Sequence, residues 1–294
     1  MYVFSAFLFL VSCRDGEKKN SKDDILTGEI TVLVDESLLP IAVEQKEVFE
    51  SSYYNAKVNL VGKPEIQAVN DLIKGEAGMI ILSRELTDEE KKTFEQRSIN
   101  PRIYSFAYDA VVLVGNTNRD STIKSQEVID LLSGKKSSGE KLLIDNPNSS
   151  SIRYFRELGK LDKIANTYIE VKDSVKYILE DVSSDEKRIG VMSLNQYLSL
   201  QRSFTKKDKI RILSVLNDTL ATPKYVKATQ ASLATGEYPL RREVKVLNYQ
   251  PNMGLGLGFS AFITGDRGQR IVLKSGLLPA KMPGREIIIR DKIN

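Results

Sequence analysis

Three junctions between predicted strands and helices carry hydroxyl and charged side chains that suit a small anion. Asp35-Glu36-Ser37 follows one apolar run, Ser83-Arg84 follows another, and residues 148–151 precede a helical segment that carries Arg153. Backbone N–H groups and the positive end of the helix dipole gather at a helix N-terminus, and serine and arginine add further donors. Such junctions can hold a tetrahedral oxyanion without a metal. Each one taken alone is more simply a helix cap and a turn.

The composition excludes most catalytic and metal chemistry. The 294 residues include no histidine and one cysteine, which rules out Ser-His-Asp and Cys-His catalysis, imidazole ligation of metals and a disulfide framework. Asp35 and Glu36 are adjacent, so on a strand they point apart and form no acid–base pair. The net charge of +4 is small and evenly spread, which argues against nucleic-acid binding and is compatible with an anionic ligand. We expect a binding protein without a metal or cofactor, not an enzyme.

Alternating strand and helix patterns position these junctions. Apolar and β-branched runs predict strands at 28–34, 57–61, 78–82, 110–114, 141–144, 189–192, 210–215 and 244–247. Helical periodicity predicts helices at 40–53, 66–73, 125–132, 151–158, 175–182 and 268–274. This alternation predicts a parallel sheet covered by helices, in which ligands bind beyond the carboxyl ends of the strands.

The first residues are typical of an export signal. The apolar run from Tyr2 to Val11 is shorter than the roughly 20 residues that a spanning helix needs. It ends in Leu10-Val11-Ser12-Cys13, which resembles the lipobox of bacterial lipoproteins. We expect residues 1–13 to be a lipoprotein signal segment, Cys13 to be lipidated, and residues 14–28 to be a flexible tether. The protein would then lie in the periplasm or cell envelope; a signal peptide that is merely cleaved is the alternative.

Five segments, in order, resemble the phosphate-binding family of bacterial ABC importers. They resemble the family's Gly-Glu-Ala-Asp strand that ends in Ser-Ser-Arg, its crossover strand, its Gly-Ser-Gly-Thr turn, its Tyr-Pro-Leu return crossover, and its closing helix and strand. The segments are Gly75–Leu86, Tyr108–Asn116, Asn148–Phe155, Tyr238–Arg242 and Gly268–Pro279. The resemblance extends over nearly all of residues 29–284.

The resemblance implies an α/β, two-lobed periplasmic-binding-protein-like fold of type II. Each lobe would be a mixed, mainly parallel sheet flanked by helices, and two hinge crossings would join the lobes. Lobe I would comprise residues 29–108 plus 245–294, and residues 109–244 would form the hinge crossings and lobe II. The implied function is an extracytoplasmic lipoprotein that closes on phosphate or a related small oxyanion and delivers it to a membrane-bound permease.

The resemblance also implies which residues bind the ligand. Ser37, Ser83 and Arg84 would contact it from lobe I, and the serine run Ser149, Ser150 and Ser151 would contact it from lobe II. The family's arginine ahead of that serine run falls on Asp145, which exchanges a guanidinium for a like charge.

This departure leaves the source of positive charge open. Arg84, Lys63 or Arg153 would have to supply it, or the ligand is not phosphate. Asp145 could instead accept the hydrogen of a protonated phosphate.

A second hypothesis follows from the same departures. Asp35 and Asp145 add negative charge, and the family's glycines are replaced by Asn148 and Ser150, which restricts the backbone. The chain could therefore be a related envelope lipoprotein with altered or lost ligand specificity, acting as a sensory or protein-interaction component.

Overall fold

The computed structural model describes residues 24–135 and 139–284. The predicted signal segment, with Cys13, and most of the predicted tether lie outside the described residues. Within the tether, residues 24–27 form a turn that is closed by a bridge between Asp24 and Thr27, and the first strand begins at Gly28.

The described residues contain thirteen strands. They are β1 (Gly28–Asp35), β2 (Ala56–Lys63), β3 (Met79–Leu82), β4 (Arg102–Asn116), β5 (Thr122–Ile123), β6 (Lys141–Ile144), β7 (Ile169–Val171), β8 (Arg188–Ser193), β9 (Ile210–Ile212), β10 (Ser214–Asn217), β11 (Lys224–Val226), β12 (Arg241–Asn248) and β13 (Leu278–Pro279).

Ten α-helices connect and cover the strands of this described part. They are α1 (Leu39–Ser52), α2 (Glu65–Lys74), α3 (Asp88–Gln96), α4 (Ser125–Leu132), α5 (Ser150–Gly159), α6 (Val175–Ser184), α7 (Leu194–Gln201), α8 (Gln230–Ala234), α9 (Leu255–Thr264) and α10 (Asp266–Ser275). None of the helices in residues 24–135 and 139–284 combines the length and apolarity that crossing a membrane requires.

One mixed sheet runs through the molecule in the order β2-β1-β3-β12-β4-β8-β6-β7. The predicted parallel pairing is present between β1 and its neighbours β2 and β3, and between β6 and its neighbours β7 and β8. The crossing strands β4 and β12 pair antiparallel with each other and with the strands beside them. The α/β class predicted from the sequence is confirmed.

The long strand β4 joins the two parts of this sheet. Its first portion pairs with β12, from Arg102 to Ala110, and its second portion pairs with β8, from Val111 to Gly115. Because this one strand belongs to both parts, the first part (β2-β1-β3-β12) and the second part (β8-β6-β7) form a continuous surface. The completely buried run from Ala110 to Val114 anchors the core at their junction.

Two layers of helices bury the faces of the first part. On one face, Phe49 of α1 packs against Phe259 and Phe262 of α9, with ring centroids 5.1 and 5.2 Å apart. On the other face, Leu72 of α2 and Phe94 of α3 belong to a smaller core cluster. The aromatic pairs bury large apolar areas and fix the helices against the sheet.

One predicted strand is divided in the structure. The single strand predicted at 210–215 divides at Leu213, because the Leu213 N–H donates to Leu113 of β4 whereas the Ser214 N–H donates to Ser121, 2.8 Å in each case. The chain thereby passes from the large sheet to a small one formed by β11, β10 and β5. The glycine-rich segment 254–258 opens α9, and a Cβ on Gly258 would lie 1.6 Å from the Ile25 carbonyl oxygen.

Candidate functional site

The predicted strand-to-helix junctions lie where β1, β3 and β6 end. Asp35 ends β1 and accepts a hydrogen bond from the Ser37 N–H at 3.0 Å, which shapes the turn into α1. Ser83 follows β3, and Ser149 is the N-cap of α5, beyond β6. Ser37, Ser83 and Ser149 are all buried.

Arg242 is the central charged group of the site, and the sequence prediction did not include it. Its guanidinium donates from Nη1 to Ser150 Oγ at 2.7 Å and from Nη2 to Ser37 Oγ at 2.9 Å. The two hydroxyl oxygens lie 3.1 Å apart. Ser37 follows the first part of the sheet and Ser150 the second, so Arg242 contacts groups from both parts.

Asp109 holds this guanidinium in place. Arg242 stands directly opposite Asp109 in the register of β12 and β4, and it donates to Asp109 Oδ2 from Nε at 3.0 Å and from Nη2 at 2.7 Å. Burial alone would lower the pKa of Arg242, but the carboxylates of Asp109, Asp35 and Glu65 hold it above its ordinary value. A guanidinium paired with a carboxylate stays charged, and because both side chains are almost fully buried, its orientation is fixed.

Two buried polar atoms near Arg242 lack a partner among the described residues. They are Asp35 Oδ2 and Ser149 Oγ, on side chains that are 0% and 2% exposed. Burial raises the pKa of Asp35 and the charge of Glu65 adds to that rise, whereas the charge of Arg242 and hydrogen bonds from Ser150 and the Ser37 N–H oppose it. Unpaired polar atoms at such depth are costly, and a polar ligand would satisfy them.

A second cluster surrounds Glu65, the first residue of α2. Glu65 Oε1 accepts from Arg84 Nε at 2.8 Å and from Arg153 Nε at 2.6 Å. Arg153 Nη2 also donates to Ser83 Oγ at 3.3 Å. Three predicted residues therefore do meet, but they meet around a carboxylate of the protein itself.

Arg84 has further acidic contacts that bear on its predicted role. It donates to both carboxylate oxygens of Glu90, at 2.7 and 2.9 Å, and to the Glu85 carbonyl at 2.8 Å. Burial would lower the pKa of Arg84, but the hydrogen bonds and charges of Glu90 and Glu65 raise it. Its donors are thus largely engaged within the protein.

Lys63 and Asp145 have other hydrogen-bond partners than the two clusters. Lys63 pairs with Asp71 of its neighbouring helix α2. Asp145 accepts from Gln196 Nε2 at 3.3 Å. Burial raises the pKa of the Asp145 carboxyl group, although the charge of Arg242 opposes that rise. It shares a surface cavity with Glu36, whose pKa is raised to about 7 by burial and by the charges of Asp145 and Asp35.

The region around α7 completes the connection between the two parts of the sheet. Ser193 Oγ donates to the Ser37 carbonyl at 2.8 Å, and the Ile41 N–H donates to Asn195 Oδ1 at 3.1 Å. The Asn195 N–H in turn donates to Asp109 Oδ1 at 3.1 Å. Ser37 is therefore held by its backbone as well as by its hydroxyl.

Two sequence signals pointed to the residues that the prediction missed. Asp109 interrupts an apolar run in the first crossing segment, and a charge in such a run needs a partner. Arg242 lies in the return crossover that the resemblance includes, beside Arg241 and Glu243. No group of acidic or cysteine side chains in residues 24–135 and 139–284 is arranged to hold a metal ion.

An α/β fold that gathers hydroxyls and a fixed guanidinium beyond its strand ends is typical of proteins that bind small anions. The chain belongs to the PBP superfamily, whose domain model matches residues 18–267. The family and the fold predicted from the sequence are thereby confirmed.

Known proteins of this type are similar over most of their length. The phosphate-binding protein PstS of Staphylococcus epidermidis is 25% identical over 285 residues, which cover 91% of this chain and 84% of that protein. A proposed phosphate ABC transporter substrate-binding protein from Clostridium perfringens, solved with bound phosphate, superposes with a TM-score of 0.70 at 18% identity, over 86% of this chain and 100% of that one. An ABC-type phosphate transport receptor from Vibrio cholerae superposes with a TM-score of 0.67 at 16% identity, over 86% and 100%.

Proposed function

We propose that this protein is an extracytoplasmic solute-binding lipoprotein that binds phosphate or a related small oxyanion for an ABC-type importer. The observation that carries the proposal is Arg242, a buried guanidinium that donates to Ser37 and Ser150 from the two parts of the sheet. The relatives named for phosphate binding support the same ligand.

Arg242 has the chemistry that the family's missing arginine would supply. A planar guanidinium forms strong, directional hydrogen bonds to oxyanions. Asp109 pairs with one edge of the guanidinium through Nε. On the other edge, Nη1 and Nη2 donate to the hydroxyls of Ser150 and Ser37. A ligand that separates the two hydroxyls would meet a charged donor and two hydroxyls together.

The unpaired Asp35 Oδ2 favours an oxyanion that carries a hydrogen. As a carboxylate, it can only accept, so hydrogen phosphate can donate to it whereas sulfate would face it with lone pairs. A buried polar atom left unpaired costs about 1–3 kcal/mol, so phosphate should bind about 5- to 150-fold more tightly than sulfate.

Ligand entry requires the two parts of the sheet to separate. The Ser37 and Ser150 hydroxyls are in direct contact at 3.1 Å, which leaves no room for a tetrahedral anion between them. We propose that lobe I (29–108 plus 245–294) and lobe II, with the hinge crossings (109–244), move as rigid bodies about β4 and β12. The ligand would bind in the cleft that opens between them.

The anchor and the partner are part of the same proposal. Lipidation of Cys13 would retain the protein at the membrane surface, and a tether would let it reach a permease. Fractionation of cells that express the full chain should recover it with membranes, and Cys13→Ser should release it. Recovery of that variant with membranes would contradict the anchor.

Calorimetry of the full chain with phosphate and with sulfate tests the proposed ligand. We expect saturable heat with phosphate and weaker binding of sulfate. Asp35→Asn should prefer phosphate over sulfate by a smaller factor, because its amide can donate to sulfate. Absence of heat with phosphate would contradict the proposal and favour the alternative of a related envelope protein with lost ligand specificity.

A further inference from the structure

We propose that the Glu65 carboxylate is an internal ligand of the cleft: it takes the place of a bound oxyanion and must leave before a ligand binds. This inference rests on the proposed function and deepens it. It concerns the contacts of Glu65 with Arg84, Arg153 and Ser83.

The surroundings of Glu65 are those of an anion site. The carboxylate is 0% exposed, and it accepts from the guanidinium groups of Arg84 and Arg153 at 2.8 and 2.6 Å. It stands at the start of α2, where backbone N–H groups lack helical acceptors and the helix dipole favours negative charge. The Ser83 hydroxyl also belongs to this cluster and accepts a hydrogen bond from Arg153.

The carboxylate fills this site incompletely. Both arginine Nε atoms donate to Oε1, whereas the buried Oε2 has no hydrogen-bond partner among the described residues. A tetrahedral oxyanion offers more acceptor oxygens than a carboxylate and could engage Arg84, Arg153 and Ser83 together. The site is thus better suited to a larger anion than to the group that now occupies it.

The same contact connects the two parts of the sheet. Glu65 starts a helix packed on the first part, and Arg153 belongs to α5, which follows β6 of the second part. Together with the contact between Ser37 and Ser150, this ion pair holds the two parts of the sheet against each other and favours a closed cleft. A protein that is already closed by its own carboxylate binds ligand more weakly, because the internal contact must first be broken.

Removing the carboxylate should therefore strengthen anion binding. In the full chain, Glu65→Ala should bind phosphate at least about tenfold more tightly than the unmodified protein, measured by calorimetry. Glu65→Gln keeps the shape and removes the charge, so it should also bind more tightly if Glu65→Ala folds poorly. Glu157→Gln is the matched control, because Glu157 also pairs with Arg153 but is 62% exposed.

Rescue by added anions provides a readout that does not depend on phosphate transport. Glu65→Ala should unfold at a lower temperature than the unmodified protein. Millimolar acetate or phosphate should raise the unfolding temperature of this variant by several degrees, compared with chloride at equal ionic strength. The unmodified protein and Glu157→Gln should show no such restoration by acetate.

The outcomes separate this inference from the proposed function. One outcome is that the unmodified protein binds phosphate while the Glu65 variants bind it no more tightly and show no anion rescue. In that case the inference about Glu65 is wrong and the proposed function stands. If acetate and phosphate rescue Glu65→Ala but the unmodified protein binds no phosphate, the internal ligand is supported and the proposed function is wrong. Absence of both effects contradicts both.

Discussion

Arg242 and Asp109 show how single residues define this site. Each lies in a crossing strand, and the strand register places them directly opposite each other. The pair leaves one edge of the guanidinium for Ser37 and Ser150. A buried charge with a fixed partner is expensive to disrupt and well suited to orienting a ligand.

Removal of Arg242 should affect both binding and stability. Arg242→Ala leaves Asp109 as a buried, unpaired charge, and such losses cost about 3–5 kcal/mol. Urea unfolding should show a decrease of this size, and calorimetry should show loss of phosphate binding. Arg241→Ala is the control, because that guanidinium stacks on the Tyr108 ring, 3.8 Å from its centroid, outside the site. Equal effects of the two substitutions would contradict the role of Arg242.

Glu36 should make the stability of the protein depend on pH. Burial and the charges of Asp145 and Asp35 raise its pKa to about 7, so the folded protein holds a proton that the unfolded chain releases. The free energy of unfolding should therefore fall as the pH rises from about 5 to about 8.

The substitution Glu36→Gln isolates this contribution from those of Asp35 and Asp145. The urea midpoints of Glu36→Gln and the unmodified protein should agree at about pH 5. As the pH rises towards about 8, the variant should become progressively more stable than the unmodified protein. The exposed Glu76→Gln should follow the unmodified protein throughout. A constant difference between Glu36→Gln and the unmodified protein would contradict the raised pKa.

Among the elements, helix α10 supports the strand that carries Asp109. Gln269 Nε2 donates to the Phe106 carbonyl of β4 at 2.9 Å, and Gln45 Nε2 of α1 donates to the Gly268 carbonyl at 2.8 Å. The turn from α9 into α10 is tight, since a Cβ on Gly268 would lie 2.5 Å from Ile263 Cα. The position of β4 therefore depends on a glycine distant from the site.

Gly268→Ala should destabilise the protein by about 1–3 kcal/mol, because the added methyl group meets backbone atoms that cannot move freely. Thermal or urea unfolding measures the change. Gly284→Ala is a matched control with open space around its Cβ, and it should be close to neutral. Equal stability of both variants would show that the turn relaxes without cost.

Local sequence patterns were sufficient for most of these elements. Buried apolar runs predicted β1, β3 and β6, and periodic apolar residues predicted α2, α4 and α6, because each pattern reflects a face that must be buried. The division at Leu213 was not predictable, since it depends on which distant carbonyl each N–H meets.

The residues of the site were predicted less completely than the elements. The junction residues Ser37 and Ser150 follow from strand ends, whereas Arg242 depends on a register between two strands far apart in sequence. Glu65 was overlooked because a residue opposite in charge to the expected donors did not suggest a role in anion binding.

At the scale of the whole molecule, the two parts of the sheet share β4 and are joined by polar contacts around Arg242 and Glu65. Such contacts can be exchanged for contacts with a ligand more easily than an apolar interface can, because both states keep their hydrogen bonds. We therefore propose that the ligand binds where the contacts between Ser37, Ser150 and Arg242 now lie.

The most direct test of this central claim is a crystal structure of the full chain grown with arsenate, a phosphate analogue that is located by anomalous scattering. We expect one strong arsenic site within hydrogen-bond distance of the Arg242 guanidinium, with the Ser37 and Ser150 hydroxyls moved apart to contact the anion. Absence of arsenic beside Arg242, or Ser37 and Ser150 still in direct contact at saturating arsenate, would contradict it.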